Sequence, residues 1–424
     1  MKFWVLGLAV VMYGLVIAFP HKKAWFTLAA AAIVVVLGVV PPGRAFLELI
    51  NWNVMLIYIG SLVVADLFIY SRVPSYVADK VVERSPTLGW AVVFVLLMTG
   101  ILSAFVENVA TVLVMAPIAL ALSEKMDVDP RHFMIGLAVM SNLQGTATLV
   151  GDPPSMIFAG FAGYSFNDFF FRDGRPSVFF AVQLGMLAGA AYFYWFYRKL
   201  GRKKVDLPDT PVVSWVPTIL LLLLIVGLAV ISFMFEGFGY LSGGWVFFLG
   251  LVGLLWYLFV QKRPKAETWT LVKSLDWETI AFLAGIFVVV GALSETGILA
   301  DLSALLARFV GDNVFLGFVS IVAMSVLLSG FIDNVPYIIV MLPVARTLTE
   351  GMGLRPELYM FGLLIGSCLG GNLTPFGASA NVVAVGIVKK KGIVVKFGEW
   401  LKVAGPFTVI TTVVSALFVW LVWR

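Results

Sequence analysis

Cysteine occurs once in the 424 residues, at Cys368, and histidine twice, at His21 and His132. One cysteine excludes a disulfide framework and a thiolate metal cluster. The two histidines fall in predicted loops and cannot pair on a metal. Charge is scarce as well. Asp, Glu, Lys and Arg make up 12% of the chain, roughly half of what a soluble domain carries. What fills their place is apolar: 61% of residues are hydrophobic and the mean hydropathy is +1.01. Many windows exceed the ~18 apolar residues that mark a spanning helix. The chain reads as a multi-pass integral membrane protein of a cell (inner) membrane, with the lipid bilayer as its surroundings. The net charge of +5 then speaks of membrane topology and not of nucleic acid. The basic start and apolar run MKFWVLGLAVVMYGLVIAF lack a small-x-small cleavage site, so they read as a first span.

Apolar runs place spans near 3–19, 24–40, 53–70, 132–163, 177–197, 214–235, 241–261, 278–294, 357–387 and 403–422. Two further regions, 88–122 and 313–348, are long, apolar and interrupted by Glu107-Asn108 and Asp333-Asn334. Taken as re-entrant hairpins, they leave ten crossing helices. Loops 20–23, 71–87, 124–131, 198–212, 262–277 and 389–402 then share one side and hold 21 of the 29 Lys and Arg. By the positive-inside rule that side is cytoplasmic, with both termini outside.

A shift of 226 residues aligns 103–160 with 329–386 without a gap, with 21 identities in 58 positions. Ser103 meets Ser329, Asn108 meets Asn334, Pro117 meets Pro343, Gly145 meets Gly371, Thr148 meets Thr374 and Gly151 meets Gly377. Apolar similarity alone would not keep prolines, glycines and polar residues in register. Upstream, NWNVMLIYIGSLVV echoes LDWETIAFLAGIFVV with one residue of slippage. Five spans separate the hairpins, and an odd number flips the second copy. The fold class is therefore all-α and polytopic: two inverted repeats, about 10–11 transmembrane helices, two re-entrant helical hairpins and broken helices. The division is 1–45 (N-terminal helices), 46–200 (repeat 1; hairpin 88–123, broken helix 130–164), 201–270 (connecting helices), 271–400 (repeat 2; hairpin 313–349, broken helix 356–388) and 401–424 (last helix).

Each repeat contradicts a continuous helix twice: at the tip, FVENVAT or FIDNVPY, and in SNLQGTATLVGDPPS or SCLGGNLTPFGASAN. Pro336 removes a donor near one tip; Pro153-Pro154 and Pro375 interrupt the others. Freed backbone at bilayer depth is tolerated where it lines a cavity or pairs within protein, and such breaks mark the sites of secondary transporters. A carboxylate at that depth costs at least ~2.5–3 kcal/mol, and Glu107, Asp152 and Asp333 lie deepest in this segmentation. No Lys or Arg occurs in 85–124, 132–171 or 309–345, so the expectation is acids without a basic partner, with Arg346 as the one base near the second hairpin. Such acids favour a proton or a bound cation. The bland alternative is a protonated acid capping a broken helix beside its Asn. Asp152 reads equally as a site residue or as a cap before Pro153.

The candidate coupling-ion or substrate residues are Ser103, Glu107, Asn108, Thr111, Ser141, Asn142, Gly145, Thr146 and Asp152 in the first repeat. In the second they are Ser329, Asp333, Asn334, Gly371, Asn372, Thr374, Gly377, Ser379 and Asn381. Sodium is placed at Glu107, Asn108, Asp333 and Asn334. Asp152 faces Ala378, Thr146 faces Asn372, and Ser155 faces Asn381, so the halves offer different ligands.

These motifs resemble the ion transporter superfamily, whose members include divalent anion/sodium symporters, arsenite permeases and sodium/proton antiporters. The acidic tips Glu107-Asn108-Val109 and Asp333-Asn334-Val335, together with GTATLVGDPPS and CLGGNLTPFGASANVVAVGI, are most similar to the arsenite permease, P protein and sodium/proton antiporter branch. The resemblance covers essentially the whole chain. It implies a homodimer and an elevator movement of the hairpins against a scaffold. The symporters' Ser-Asn-Thr tips are missing, which argues against sodium-driven dicarboxylate transport, and Cys368 alone cannot capture arsenite by thiols.

The expectation is a secondary active transporter of a small ion, proton- or sodium-coupled and arsenite or inorganic-anion permease-like. Sodium/proton antiport is the alternative, and a citrate or dicarboxylate carrier or a channel comes after it. The lack of a basic residue in the core weakens a strongly anionic substrate. No enzyme is expected, because the acids sit in no hydrolytic arrangement. No cofactor is expected beyond a coupling sodium ion or proton.

Overall fold

The computed structural model describes residues 1–200, 210–235, 240–310 and 313–424. Most of the basic run RKLGRKK, in the loop 198–212, lies outside them. The first half runs α1 (Lys2–Ala18), α2 (Lys23–Val36), a short α3 (Pro42–Arg44, continuing as a wider turn to Leu49), α4 (Trp52–Tyr70), α5 (Val73–Glu83), α6 (Leu88–Ser103), α7 (Asn108–Met126), α8 (Pro130–Gly145), α9 (Pro153–Ala162) and α10 (Val178–Tyr197). The second half repeats the order: α11 (Val216–Met234), α12 (Tyr240–Leu255), α13 (Lys265–Ser274), α14 (Trp277–Glu295), α15 (Ile298–Val310), α16 (Val314–Ser329), α17 (Asn334–Gly351), α18 (Pro356–Gly370), α19 (Ser379–Lys390) and α20 (Phe397–Trp423). Each helix has its counterpart ten places on. Among the described residues the only strands are a two-residue ribbon, Phe171–Arg172 against Arg175–Pro176.

Seven helices, among them α4, α7, α14 and α20, are long and apolar enough to cross a membrane; α1, α2, α6 and α16 are shorter apolar helices. The breaks fall where the residues dictate. Helix α8 ends at Gly145, and α9 begins at Pro153, where a missing N–H costs nothing. Helix α18 ends at Gly370 in a 3₁₀ turn, Gly371–Leu373, before Pro375 and α19. Pro336 falls in the first turn of α17, where the helix has no bond to lose.

The halves exchange partners. Helix α12 packs on α4 of the first half, and α2 packs on α14 of the second. Glycine permits both crossings. A Cβ on Gly60 would lie 2.5 Å from Val246 O, and one on Gly285 would lie 2.6 Å from Thr27 C. Lipid provides no hydrophobic drive between helices, so close backbone approach of this kind does the packing. The hairpin arms α6 and α7 fold on α8, and α16 and α17 on α18. The second pieces of the broken helices cross over, α9 to α17 and α19 to α7.

Candidate functional site

Both hairpin tips and both helix breaks meet at one cavity of about 230 Å³. Its wall includes Glu107, Asn108, Asn142, Asp152, Asp333, Asn334 and Ser379 of the expected residues, and also Lys23, Tyr58, Asp66 and Asp276. Helices α7, α9, α17 and α19 all present their N-terminal ends to it. Ser274 and Asp276 at its mouth are exposed, on the side that carries the loops 20–23 and 262–277.

The remaining expected residues lie behind this wall, and their hydrogen bonds show what they do. Ser141 Oγ donates to Ser103 Oγ at 2.8 Å, and the repeat equivalent of Ser103, Ser329 Oγ, donates to Ser367 O at 2.5 Å. Thr374 Oγ1 donates to Gly330 O at 2.7 Å, and Thr148 Oγ1 to the matching Ala104 O. These four bonds pin each tip to its broken helix. The glycines make room for the pins. A Cβ on Gly145 would collide with Asn108 Oδ1, one on Gly371 would fall 2.9 Å from Gly377 O, and one on Gly377 2.5 Å from Gly371 O. Thr111 Oγ1 bonds Val106 O at 3.2 Å and Thr146 Oγ1 bonds Asn142 O at 3.4 Å, both within their own segments.

A line of buried asparagines crosses between the halves. Asn108 Oδ1 accepts from Ser103 Oγ at 2.6 Å, and Asn108 Nδ2 donates to Asn142 Oδ1 at 3.4 Å. Asn142 Nδ2 donates to Asn372 Oδ1 and to Asn381 Oδ1, each at 2.8 Å. Asn381 Nδ2 ends the line on Gly371 O and Thr374 O at 2.9 and 2.8 Å. Asn334, the equivalent of Asn108, makes no side-chain hydrogen bond among the described residues and is free to face a ligand.

The acids divide by their partners. Glu107 caps α7 through Ala110 N at 3.0 Å, Asp333 caps α17 through Val335 N at 3.0 Å, and Asp276 caps α14 through Thr279 N at 2.9 Å. Asp276 also accepts from Tyr58 OH at 3.2 Å. Asp152 holds the N-cap position of α9 but makes no capping bond. Its carboxylate, 6% exposed as a residue, shares the Asn108 amide instead, which places it in the wall and not in a cap. Among the described residues Glu107, Asp152 and Asp66 make no ion pair.

The expectation that the acids lack a basic partner fails at Asp333. Lys23 Nζ lies 3.3 Å from Asp333 Oδ2 and 5.3 Å from the centre of the Phe282 ring. Helix α2 begins at Lys23 and crosses to α14 of the other half, which carries the lysine from a loop position in sequence to the second hairpin tip. Arg346, the base nearest in sequence, turns away to Glu350 at 2.8 Å. Sequence reasoning missed Asp66 and Tyr58, which lie inside a run that reads only as a span; the one acid in 53–70 is the signal that points to Asp66. Asp276 lies in LDWETIAFL, a stretch that belongs to the repeat.

No three His, Cys, Asp or Glu side chains come together as a metal centre among the described residues. An alkali cation asks less: one or two carboxylate oxygens and amide or carbonyl oxygens. Glu107 and Asp152 offer the carboxylate oxygens; the Asn108 oxygen is taken by Ser103, and its Nδ2 donates to Asn142.

Known proteins agree with this architecture. The family model described as CitMHS, citrate transporter, matches residues 13–366 and 301–424. An uncharacterised transporter of Mycobacterium tuberculosis is 30% identical over 419 residues, covering 96% of each chain. The human P protein is 25% identical over 473 residues, covering 92% of this chain and 56% of its own length, so this chain spans about half of it. Among solved structures, the YdaH transporter of Alcanivorax borkumensis shares the fold, with a TM-score of 0.62 at 16% identity over 92% of this chain and 87% of that one. The MtrF structure of Neisseria gonorrhoeae gives 0.58 at 15% identity over 92% and 83%. The chain is thus a multi-pass membrane transporter and belongs to the citrate transporter family, CitMHS.

Proposed function

We propose that this transporter is a secondary active carrier that exchanges protons for a small cation at Glu107 and Asp152. One observation carries the reading. The cavity wall holds five carboxylates and one lysine, and that lysine is committed to Asp333. Glu107 and Asp152, like Asp66, are left without a base; Asn108 follows Glu107 in the chain and its side chain hydrogen-bonds Asp152. A carboxylate withdrawn from water with no basic partner holds a proton or a cation, and the two compete for it. Loading one from the cytoplasmic side and the other from the opposite side is antiport. An elevator movement of the hairpins and broken helices against α2, α4, α12 and α14, in a homodimer, belongs to the same reading; cross-linking in the membrane tests the dimer.

A second reading has its own support. The N-termini of α7, α9, α14, α17 and α19 border the cavity, and such ends favour anions. The family's description as citrate transporters points the same way. Proton- or sodium-coupled carriage of arsenite, an inorganic anion or citrate would use those ends. Against it, Glu107, Asp276 and Asp333 cap three of these ends with their own carboxylates.

Proteoliposomes loaded with a pH dye separate the two. An external sodium or lithium jump that makes the interior alkaline supports cation/proton exchange. A dye response only to citrate, arsenite or phosphate under an imposed proton gradient overturns it in favour of the second reading.

A further inference from the structure

The two hairpin tips are equivalent in sequence but not in their partners. Asp333 faces an ammonium; Glu107 does not. The lysine comes from one of the two exchanged helices. The α2–α14 crossing sets Thr27 against Gly285, and the α12–α4 crossing sets Val246 against Gly60. Four residues before Thr27 is Lys23, and four residues before Val246 is Ser242. Lys23 lines the cavity, and Ser242, its counterpart in register, does not. The lysine is well enclosed, with its side chain 14% exposed against 36% for Asp333. Asp276 and Glu278 are the further acids within its electrostatic reach; both are exposed, and the lysine's ion pair is with Asp333.

We propose that Lys23 is a tethered cation, occupying at Asp333 the place that a mobile cation or proton takes at Glu107. The repeats then form one exchangeable site and one that is closed by the chain itself. Lys23 is a specificity-determining residue: it sets how many cations the cavity takes. The ion pair also joins α2, in the helix pair with α14, to the tip of the second hairpin, so it must part if that tip leaves α2. At that moment Asp333 and the partnerless Asn334 are uncovered together.

This inference rests on the exchange reading, and the test keeps the two apart. Thermal unfolding of the purified full chain is followed against sodium chloride, then lithium chloride, with choline chloride holding the ionic strength. Wild type is expected to be stabilised with a single-site curve that Glu107→Gln abolishes. Lys23→Met is expected to lower the half-saturating cation concentration roughly tenfold, the scale of one further unpaired carboxylate within a few ångströms, and to steepen the curve. Lys23→Arg should keep the wild-type curve, and the double variant Lys23→Met, Asp333→Asn should return to it. A wild-type response that Lys23→Met leaves unchanged overturns the lysine assignment alone. The assignment also falls if Asp333→Asn in the wild-type background removes the cation response as fully as Glu107→Gln does. Wild type without any cation response overturns the exchange reading and this inference with it. Variants are compared only as monodisperse protein, and Lys23→Arg guards against a lysine needed merely for folding.

Discussion

At the scale of single residues, the positions that match between the repeats and the positions that differ do different work. Ser103 and Ser329, Thr148 and Thr374, and the glycine pairs match because they pin tip to break in both halves. Asn142 and Cys368, Asp152 and Ala378, and Ser155 and Asn381 differ because the cavity and the line between the halves are asymmetric. Asn142 is the centre of that line. Asn142→Leu keeps its bulk but strands two buried carbonyl oxygens, Asn372 Oδ1 and Asn381 Oδ1. The expected loss is about 2–4 kcal/mol, read as a lower unfolding temperature in detergent; a loss within ~0.5 kcal/mol would mean that water or a rearranged Asn108 replaces the bond. Glu107, Asp152 and Asp333 were legible because an acid in an apolar run needs a reason. Lys23 was not, since a lysine at a helix start is also what topology demands, and only the crossing of α2 to α14 tells the two apart.

At the scale of elements, the hairpins and broken helices were legible because proline, glycine and polar residues have few uses in a spanning helix. The exchange of α2 and α12 between halves was not, because any small residue in an apolar helix can mark a close contact. Gly285→Ala tests that contact. Its Cβ would press on backbone, which cannot yield as a side chain does. A destabilisation of about 1–3 kcal/mol is expected, and Gly14→Ala, with open space around it, serves as the control. A polar tie outside the apolar helices gives a pH signature. Arg131 bonds Asp129 at 2.7 Å and Glu399 at 2.8 Å, joining the start of α8 to that of α20. The hydrogen bond from Arg131 holds the Asp129 carboxyl below its ordinary range. A depressed acid stabilises the fold above its unfolded value and loses that contribution as pH falls through the folded one. Wild type should therefore lose more stability than Arg131→Gln between about pH 6 and 3; parallel curves would show the tie to be idle.

At the scale of the whole molecule, two halves of like order enclose faces of unlike chemistry. The mouth on the side of loops 20–23 and 262–277 carries Asp66, Asp276 and Lys23. On the opposite face, by the repeat correspondence, Asn51 stands for Asp276 and Gly291 for Asp66. There Leu49 lies so close that a Cβ on Gly291 would come within 2.5 Å of it. A second concavity on that face is lined by Leu49, Asn51, Phe161, Phe287 and Ile339, with one acid, Glu48, at its rim. The acids of one mouth have no equivalent at the other, so the symmetry of the repeats does not extend to the chemistry of the two faces. Charge at the mouths was visible in the sequence as loop composition; its division between the faces of one cavity was not. The central claim is that Glu107 holds the exchanged ion. Its most direct test is internal pH in proteoliposomes after an external sodium or lithium jump, wild type against Glu107→Gln. The account predicts an alkaline interior with wild type and none with the variant. A variant that folds and still turns the interior alkaline at the wild-type rate would contradict it.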